Sequence, residues 1–444
     1  MPEIQPPVLE LADIQGIVLR RRPTPYHGTH ALLRIDDAAE GREMLRRLIP
    51  HIVSAADWEN GRDLWVAVML TYAGLAALGT PPESLASFPK EMRDGMTSRA
   101  EALGDTGESS PDHWLPPYGT GEIHVALTIL ADTEEIWREK IALALAQIDD
   151  LPGISLLGRN DFAQLPGGRT SLGYKDGISF PCIAGSGVPP LTGAGPEIAA
   201  GEFIFGYPSE AGTLLPMPFP DALGRNGTLI GFRKLHTRVA DFRRFLRANA
   251  NSEAEEEKLA AKLLGRWRSG APLALAPDKD DPLLAEDRAR NNNFDYADDP
   301  KGLVCPFGAH IRRSNPRETP MPVLTDVNLH RIIRHGTTYG PPLPDGVLED
   351  DGAERGIFFI FLSARAPATF EFLKSHWTND GNFLNLGTEK DPIAGAHDGT
   401  GVFTIPQRPI RRRLQGLSAF TVTRGGEYGF LPSLSALRWL SALT

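Results

Sequence analysis

The chain has 444 residues, 41% hydrophobic and 23% charged, a composition that carries sizeable cores and excludes the disordered and fibrous classes; at roughly 150 residues per domain it holds about two or three domains. With 46 Lys and Arg against 56 Asp and Glu the net charge is -10, so no global basic field exists to hold a nucleic acid or an anionic membrane. Two cysteines, Cys182 and Cys305, are too few for a disulfide framework or a paired-cysteine metal site, and both are expected to be buried and reduced.

The opening sixteen residues, MPEIQPPVLELADIQG, lack a basic start, an apolar stretch of leader length and a twin arginine, and no apolar run approaches the roughly 20 residues that span a bilayer. A cytoplasmic location is the expectation. Residues 13–19 (DIQGIVL) and 64–70 (LWVAVML) read as strands, the second leading into a helix. His27 and His30 have no acid or thiol partner in a zinc spacing and are expected at the surface. Residues 123–130 alternate as a strand, and 134–148 place apolar residues at helical spacing. Glycine and proline are dense over 185–220, which predicts a long, well-turned connection between two halves, residues 1–195 and 196–444. Beyond it, Ser252-Glu253-Ala254-Glu255 is a capping box that opens a helix running to about Trp267. An apolar, aromatic strand over 356–362 is followed by a helix over 366–377, repeating the strand-then-helix order of the first half.

Three segments carry chemistry. In GYKDGIS, at 173–179, Asp176 precedes a glycine free to take a positive φ; by itself the pair is an ordinary turn, and its spacing names no reaction. In CPFGAHIRRSNPR, at 305–317, His310 stands between small residues and an arginine cluster. A neutral imidazole is a good iron ligand and guanidinium groups pair with carboxylates such as haem propionates, although the same residues could brace a loop. In HRIIRHGTTYG, at 330–340, Arg331 and Arg334 flank two apolar residues, as a solvated face or as part of a site.

In this order the three segments resemble the dye-decolourising peroxidase family, whose haem site carries a Gly-x-x-Asp-Gly motif and a later proximal histidine. Further similarity lies in DIQGIVLR (13–20), GEFIFGYP (201–208), GTEKDPI (387–393) and VTRGGEYGFLPSLSAL (422–437), so that the resemblance covers nearly the whole chain. It implies an α+β fold of two ferredoxin-like domains, each an antiparallel sheet with helices packed on its faces. The Gly-x-x-Asp-Gly segment would fall in the first domain, and one haem b per chain would sit in the C-terminal half. It also implies hydrogen-peroxide-dependent oxidation of phenols, dyes and similar small aromatic donors through an oxoferryl state.

Carried over by position, His310 is the proximal iron ligand, and Asp176 is the distal group that moves the peroxide proton. Arg334 is the distal cation, with Arg331 as its fallback. Asp391 is the candidate acceptor for the other N–H of His310, with Glu389 as the alternative. Phe359 and Phe361 would wall the distal pocket, and Arg312 and Arg317 would meet the propionates. Trp377 and Tyr339 lie where relatives pass oxidising equivalents to a surface. An aspartate base, with an ordinary pKa near 3.9 against about 6.5 for histidine, implies an acidic optimum. The expected partners are peroxide and aromatic donors, with no nucleic acid and no membrane; a homodimer is compatible with the sequence. The rival reading is a non-catalytic haem carrier or sensor, which needs no acid and arginine over an open coordination site.

Overall fold

The computed structural model describes residues 8–57, 64–190, 193, 195–319 and 327–444. Residues 1–7 of the segment read for a leader, and 191, 192 and 194 beside the expected boundary, lie outside the described residues. Twelve strands are described: β1 (His27–Ile35), β2 (Leu64–Leu70), β3 (Val125–Ala131), β4 (Ile154–Ala163), β5 (Cys182–Ile183), β6 (Glu197–Ile198), β7 (Thr228–Thr237), β8 (Ile333–Tyr339), β9 (Gly356–Ser363), β10 (Asp398–Ile405), β11 (Arg412–Ser418) and β12 (Thr421–Leu431).

Eight of them form one antiparallel sheet in the order β4-β1-β3-β2-β12-β7-β9-β8. Read as two sets of four, each set has the order fourth, first, third, second of its own strands, which is the ferredoxin-like βαββαβ arrangement. The first set carries the helices Ala38–Leu48 and Glu134–Ala146, and the second carries Val239–Ala248 and Ala366–Phe372. The fold is thus mixed α+β with a large antiparallel sheet and packed helices. It departs from two separate sheets at one point, where Phe430 of β12 pairs with Leu70 of β2 and makes the sets continuous. The outer edges are also tied together: Thr338 of β8 donates its hydroxyl to the Ala163 carbonyl of β4 at 2.7 Å, and its N–H donates to the Tyr26 hydroxyl at 2.9 Å.

Side-chain caps open several of the helices. Thr133 accepts from the Ile136 N–H and Ser252 from the Glu255 N–H, each filling an otherwise unbonded donor of a first turn. The helix opened by Ser252 spans Glu253–Leu264 and stops at Gly265, whose φ of 98° ends it short of Trp267. Residues 366–377 begin as an α-helix and widen into a π-helical turn over Leu373–Thr378.

The run at 13–19 is not a strand: Gly16–Leu19 is a short, wholly buried helix. A short continuous apolar run does not distinguish the two by periodicity. Gln15 anchors the segment beside the sheet: its amide donates to the Val68 and Pro432 carbonyls and accepts from the Val68 N–H.

Because side chains alternate along a strand, the second set of four has two different faces. Phe232 of β7 and Phe358 of β9 point to the face where His30 sits, with ring centroids 4.8 and 5.3 Å from its imidazole. His30 is therefore fully buried rather than at the surface; Thr128 bonds its Nδ1, and burial pulls its pKa down to about 3, so the ring is neutral. Cross-strand partners Gly336, Phe359 and Arg233 share the other face, together with Arg334, Ile357 and Leu235.

Glu427 of β12 lies on the aromatic face in register with Phe232 and receives one hydrogen bond, from the Gly119 N–H at 3.3 Å. Part of its side chain keeps accessible area, yet protein atoms surround the carboxyl, and burial pushes its pKa from 4.5 up to about 7. Between those values the folded chain holds a proton that the unfolded chain has released, so stability falls as pH rises through that window. Glu427→Gln should flatten this fall in urea titrations run from pH 4.5 to 7.

Candidate active site

Against the second face lies a cavity of about 730 Å³, inside the ~300–1,000 Å³ range of cofactor sites. The sheet supplies Arg334 and Gly336 from β8, Ile357 and Phe359 from β9, and Arg233 from β7. His310 enters from the first position of the short helix His310–Ser314, and Asp176 from the turn that follows β4.

His310 is held from behind. Its Nδ1 is 2.9 Å from Oδ2 of the fully buried Asp391, whose other oxygen accepts from the Ile393 and Ala394 N–H groups, each at 2.9 Å. Burial raises the Asp391 pKa, but the adjacent imidazole, these hydrogen bonds and Arg313 outweigh it and hold the carboxyl well below the ordinary carboxylate range. An ionised Asp391 keeps the proton on Nδ1 and leaves the lone pair on Nε2, the nitrogen that could hold a metal. Glu389, the alternative acceptor, is occupied elsewhere, taking the Thr404 N–H at 2.9 Å and the Thr404 hydroxyl.

Asp176 accepts from Arg22 at 2.6 Å on Oδ2 and from the Gly177 N–H at 2.7 Å on Oδ1. Gly177 takes the positive φ, 75°, that the Asp-Gly pair allows. Arg334 has accessible area through the cavity itself while protein surrounds its charge; burial lowers its pKa, and Asp176 opposes that shift. Arg331 is depressed to about 10 by burial and by the like charges of Arg334 and Arg317. Among the described residues neither the Arg331 nor the Arg334 guanidinium has a hydrogen bond or a close ion pair, so this wall presents cationic groups open to an anion.

The site residues expected from the sequence do not all reach the cavity. Asp176, His310, Arg317, Arg334 and Phe359 line it, and Asp391 stands directly behind His310. Arg312 does not: it is fully buried, stacked between Tyr296 and Phe307, and it donates to Asp299 and to the Cys305 carbonyl, which leaves no group for a propionate. Phe361 does not either. It shares a face with Phe359, but the Phe370 ring stacks on it at 4.0 Å and excludes it from the wall. The apolar lining comes instead from Phe359 and Ile357, one alternation earlier in the strand, a position the sequence reading missed by counting only aromatic residues. Trp377 lines the cavity, whereas Tyr339 packs against Phe358 at 4.6 Å on the aromatic face. Arg22 was also missed, since nothing in its own segment marks it.

The donor set suits a dianionic iron porphyrin: one imidazole fixed by a buried carboxylate, apolar walls, and guanidinium groups without acid partners for the carboxylate edge. These are the features of a haem-binding oxidoreductase.

No protein-family model matches the chain. Individual relatives do. The chain is 31% identical over 408 residues to the dye-decolorizing peroxidase msp1 of Mycetinis scorodonius, covering 84% of this chain and 75% of that one. It is 33% identical over 468 aligned positions to Peroxidase 2 of the same organism, covering 97% and 87%. A solved dye-decolorizing peroxidase, in complex with 2,6-dimethoxyphenol, superposes with a TM-score of 0.85 at 28% identity, covering 98% of this chain and 100% of that one. The chain belongs to the dye-decolorizing peroxidase family: it is a peroxidase, and its cofactor is haem b. Among the described residues, no helix is long and apolar enough to cross a membrane.

Phe361→Ala should lower stability by about 3–5 kcal/mol in denaturant titrations, the cost of emptying a packed aromatic site. Asp391→Asn removes the charge behind His310 and should weaken haem retention on the order of 10–100-fold, read as haem loss to excess apomyoglobin.

Proposed function

We propose that His310 Nε2 would hold the haem iron of this peroxidase and that Asp176 and Arg334 would act on the peroxide. The observation that carries the reading is that one cavity is bounded by an imidazole with a buried carboxylate behind it and by an acid-arginine pair. When bound, the haem supplies the iron that takes up peroxide and the redox equivalents that are passed on to donors.

The chain's own residues divide the remaining work. Asp176 takes the peroxide proton on Oδ1, since Oδ2 is held by Arg22, and delivers it to the leaving oxygen. Arg334 keeps its charge at any working pH and stabilises the negative charge that develops as the O–O bond breaks. Ile357 and Phe359 restrict water over the reacting atoms. Arg317 and Arg331 hold the haem carboxylates. Arg317 takes the place that Arg312 cannot share, because it faces the cavity while it donates to the Phe294 carbonyl.

We place the haem mainly in the second half of the chain, residues 196–444, which supplies His310, Arg334, Phe359 and Asp391, while residues 1–195 supply Asp176. Phenols and dyes are the proposed donors, by likeness to the relative solved with 2,6-dimethoxyphenol. Trp377, at the cavity wall, is the better placed of the two aromatic residues to pass electrons outward.

The test is the visible spectrum of haem-loaded protein before and after one equivalent of peroxide. Wild type should show a Soret band that shifts with peroxide, and His310→Ala should lose the histidine-ligated resting spectrum. Asp176→Asn should keep that spectrum but react with peroxide on the order of 10²–10⁴-fold more slowly. A haem spectrum indifferent to peroxide in wild type would overturn the catalytic reading.

A further inference from the structure

Arg22 lies in the segment between the helix Gly16–Leu19 and β1, far from the motifs that carry the site, yet its side chain reaches the cavity. Its Nη2 donates to Asp176 Oδ2 at 2.6 Å, with the Arg22 side chain 9% exposed and that of Asp176 34% exposed. The guanidinium lies over the Tyr26 ring at 4.4 Å. Tyr26 is itself fixed, since its hydroxyl is 3.0 Å from the Thr338 hydroxyl and accepts the Thr338 N–H. Thr338 belongs to β8, the strand that also carries Arg334. One strand therefore sets both cations that flank Asp176: Arg334 directly, and Arg22 through the Tyr26 ring.

On this geometry, and resting on the assignment of Asp176 as the proton-moving group, we propose that Arg22 is the positioning residue for the distal aspartate. It holds Oδ2 and so fixes the plane of the carboxylate, leaving Oδ1, whose partner is the adjacent Gly177 N–H, to receive the proton. The distal wall then carries two guanidinium groups for one carboxylate. Peroxide and hydrogen cyanide must each give up a proton to react or bind, so both depend on where Oδ1 is held. Arg22 Nη1 is buried without a partner among the described residues, so its whole hold on the site is the Asp176 contact and the Tyr26 ring. An arginine suits this role because its planar fork can stack on the ring and donate in-plane at once.

The test uses the haem-loaded full chain with Arg22→Gln, Arg22→Lys, Asp176→Asn and the double variant Arg22→Gln/Asp176→Asn. Two quantities are read: the affinity of the ferric protein for cyanide, which must lose a proton to bind as an anion, and the rate of the reaction with peroxide. Arg22→Gln should weaken both on the order of 10–100-fold with an unchanged resting Soret band, the scale of a misplaced reacting group. Arg22→Lys should recover part of the loss, because it keeps the charge. In the Asp176→Asn background, Arg22→Gln should change either quantity by less than about twofold, since a residue acting through Asp176 has nothing left to position.

The inference is overturned alone if Asp176→Asn is impaired while Arg22→Gln is not, or if the full Arg22→Gln effect persists in the double variant. An unimpaired Asp176→Asn removes the base assignment and the positioning role together. If Arg22→Gln does not load haem, Arg22→Met, which keeps the stem over Tyr26, carries the same comparisons.

Discussion

The period-two alternation of the strands in the second set of four is the constraint on which the site depends. Each of these strands must satisfy two environments that differ in kind, and its residues alternate accordingly. Phe232 and Phe358 close on His30 in a dry aromatic cluster, while the residues beside them, Arg233 and Phe359, face a cavity that also holds unpaired guanidinium groups. A slip of one residue in β9 would exchange Phe358 with Phe359 between the two faces and break both packings. The packing around His30, which no ligand approaches, thus keeps the register that presents Arg334 and Ile357 to the cavity.

Charge in that cavity is organised by burial rather than by the net charge of the chain. Asp391 is fully buried and ionised because its compensation is local: two backbone N–H groups, the His310 imidazole and Arg313. Arg331 has no such compensation among the described residues and Arg334 only the opposing charge of Asp176, and burial depresses the pKa of both. An interior that accumulates cations without anions is poor design for a free-standing core and good design for receiving a dianionic cofactor and an anionic ligand. The surface of the chain, with its excess of acids, has no part in this.

Much of this was legible from residue order because the chemistry lies in short segments. Asp176 and His310, both singled out in the sequence, line one cavity, and Asp391 bonds the His310 imidazole. What failed to read were properties set across the sheet. Arg312 and Arg317 look alike in sequence, and only the packing of Tyr296 and Phe307 shows that the first is sealed away. Phe359 and Phe361 share a strand face, and only the position of Phe370 separates wall from core. Residues 13–19 have the composition of a strand, yet Gly16–Leu19 is a short buried helix, a difference that periodicity does not show in so short an apolar run. Arg22 could not be found at all without the fold, since its partner is 154 positions away in the chain.

That separation bears on how the two sets of strands are coupled. In the proposed arrangement the iron ligand and the distal arginine come from the second set, while the distal acid and the arginine that grips it come from segments flanking the first. The polar contacts that tie β4 to β8 are therefore not only structural closure. The Tyr26 hydroxyl and Thr338, which join those edges, also support the ring on which Arg22 lies. Displacement of one set against the other would move Asp176 and Arg22 together and leave His310 and Arg334 behind. The relation between Asp176 and His310 thus depends in part on that edge contact. A buried tyrosine bonded to both backbone and hydroxyl is a stiff link, because its aromatic side chain has few rotamers to lose and its polar atom is already partnered.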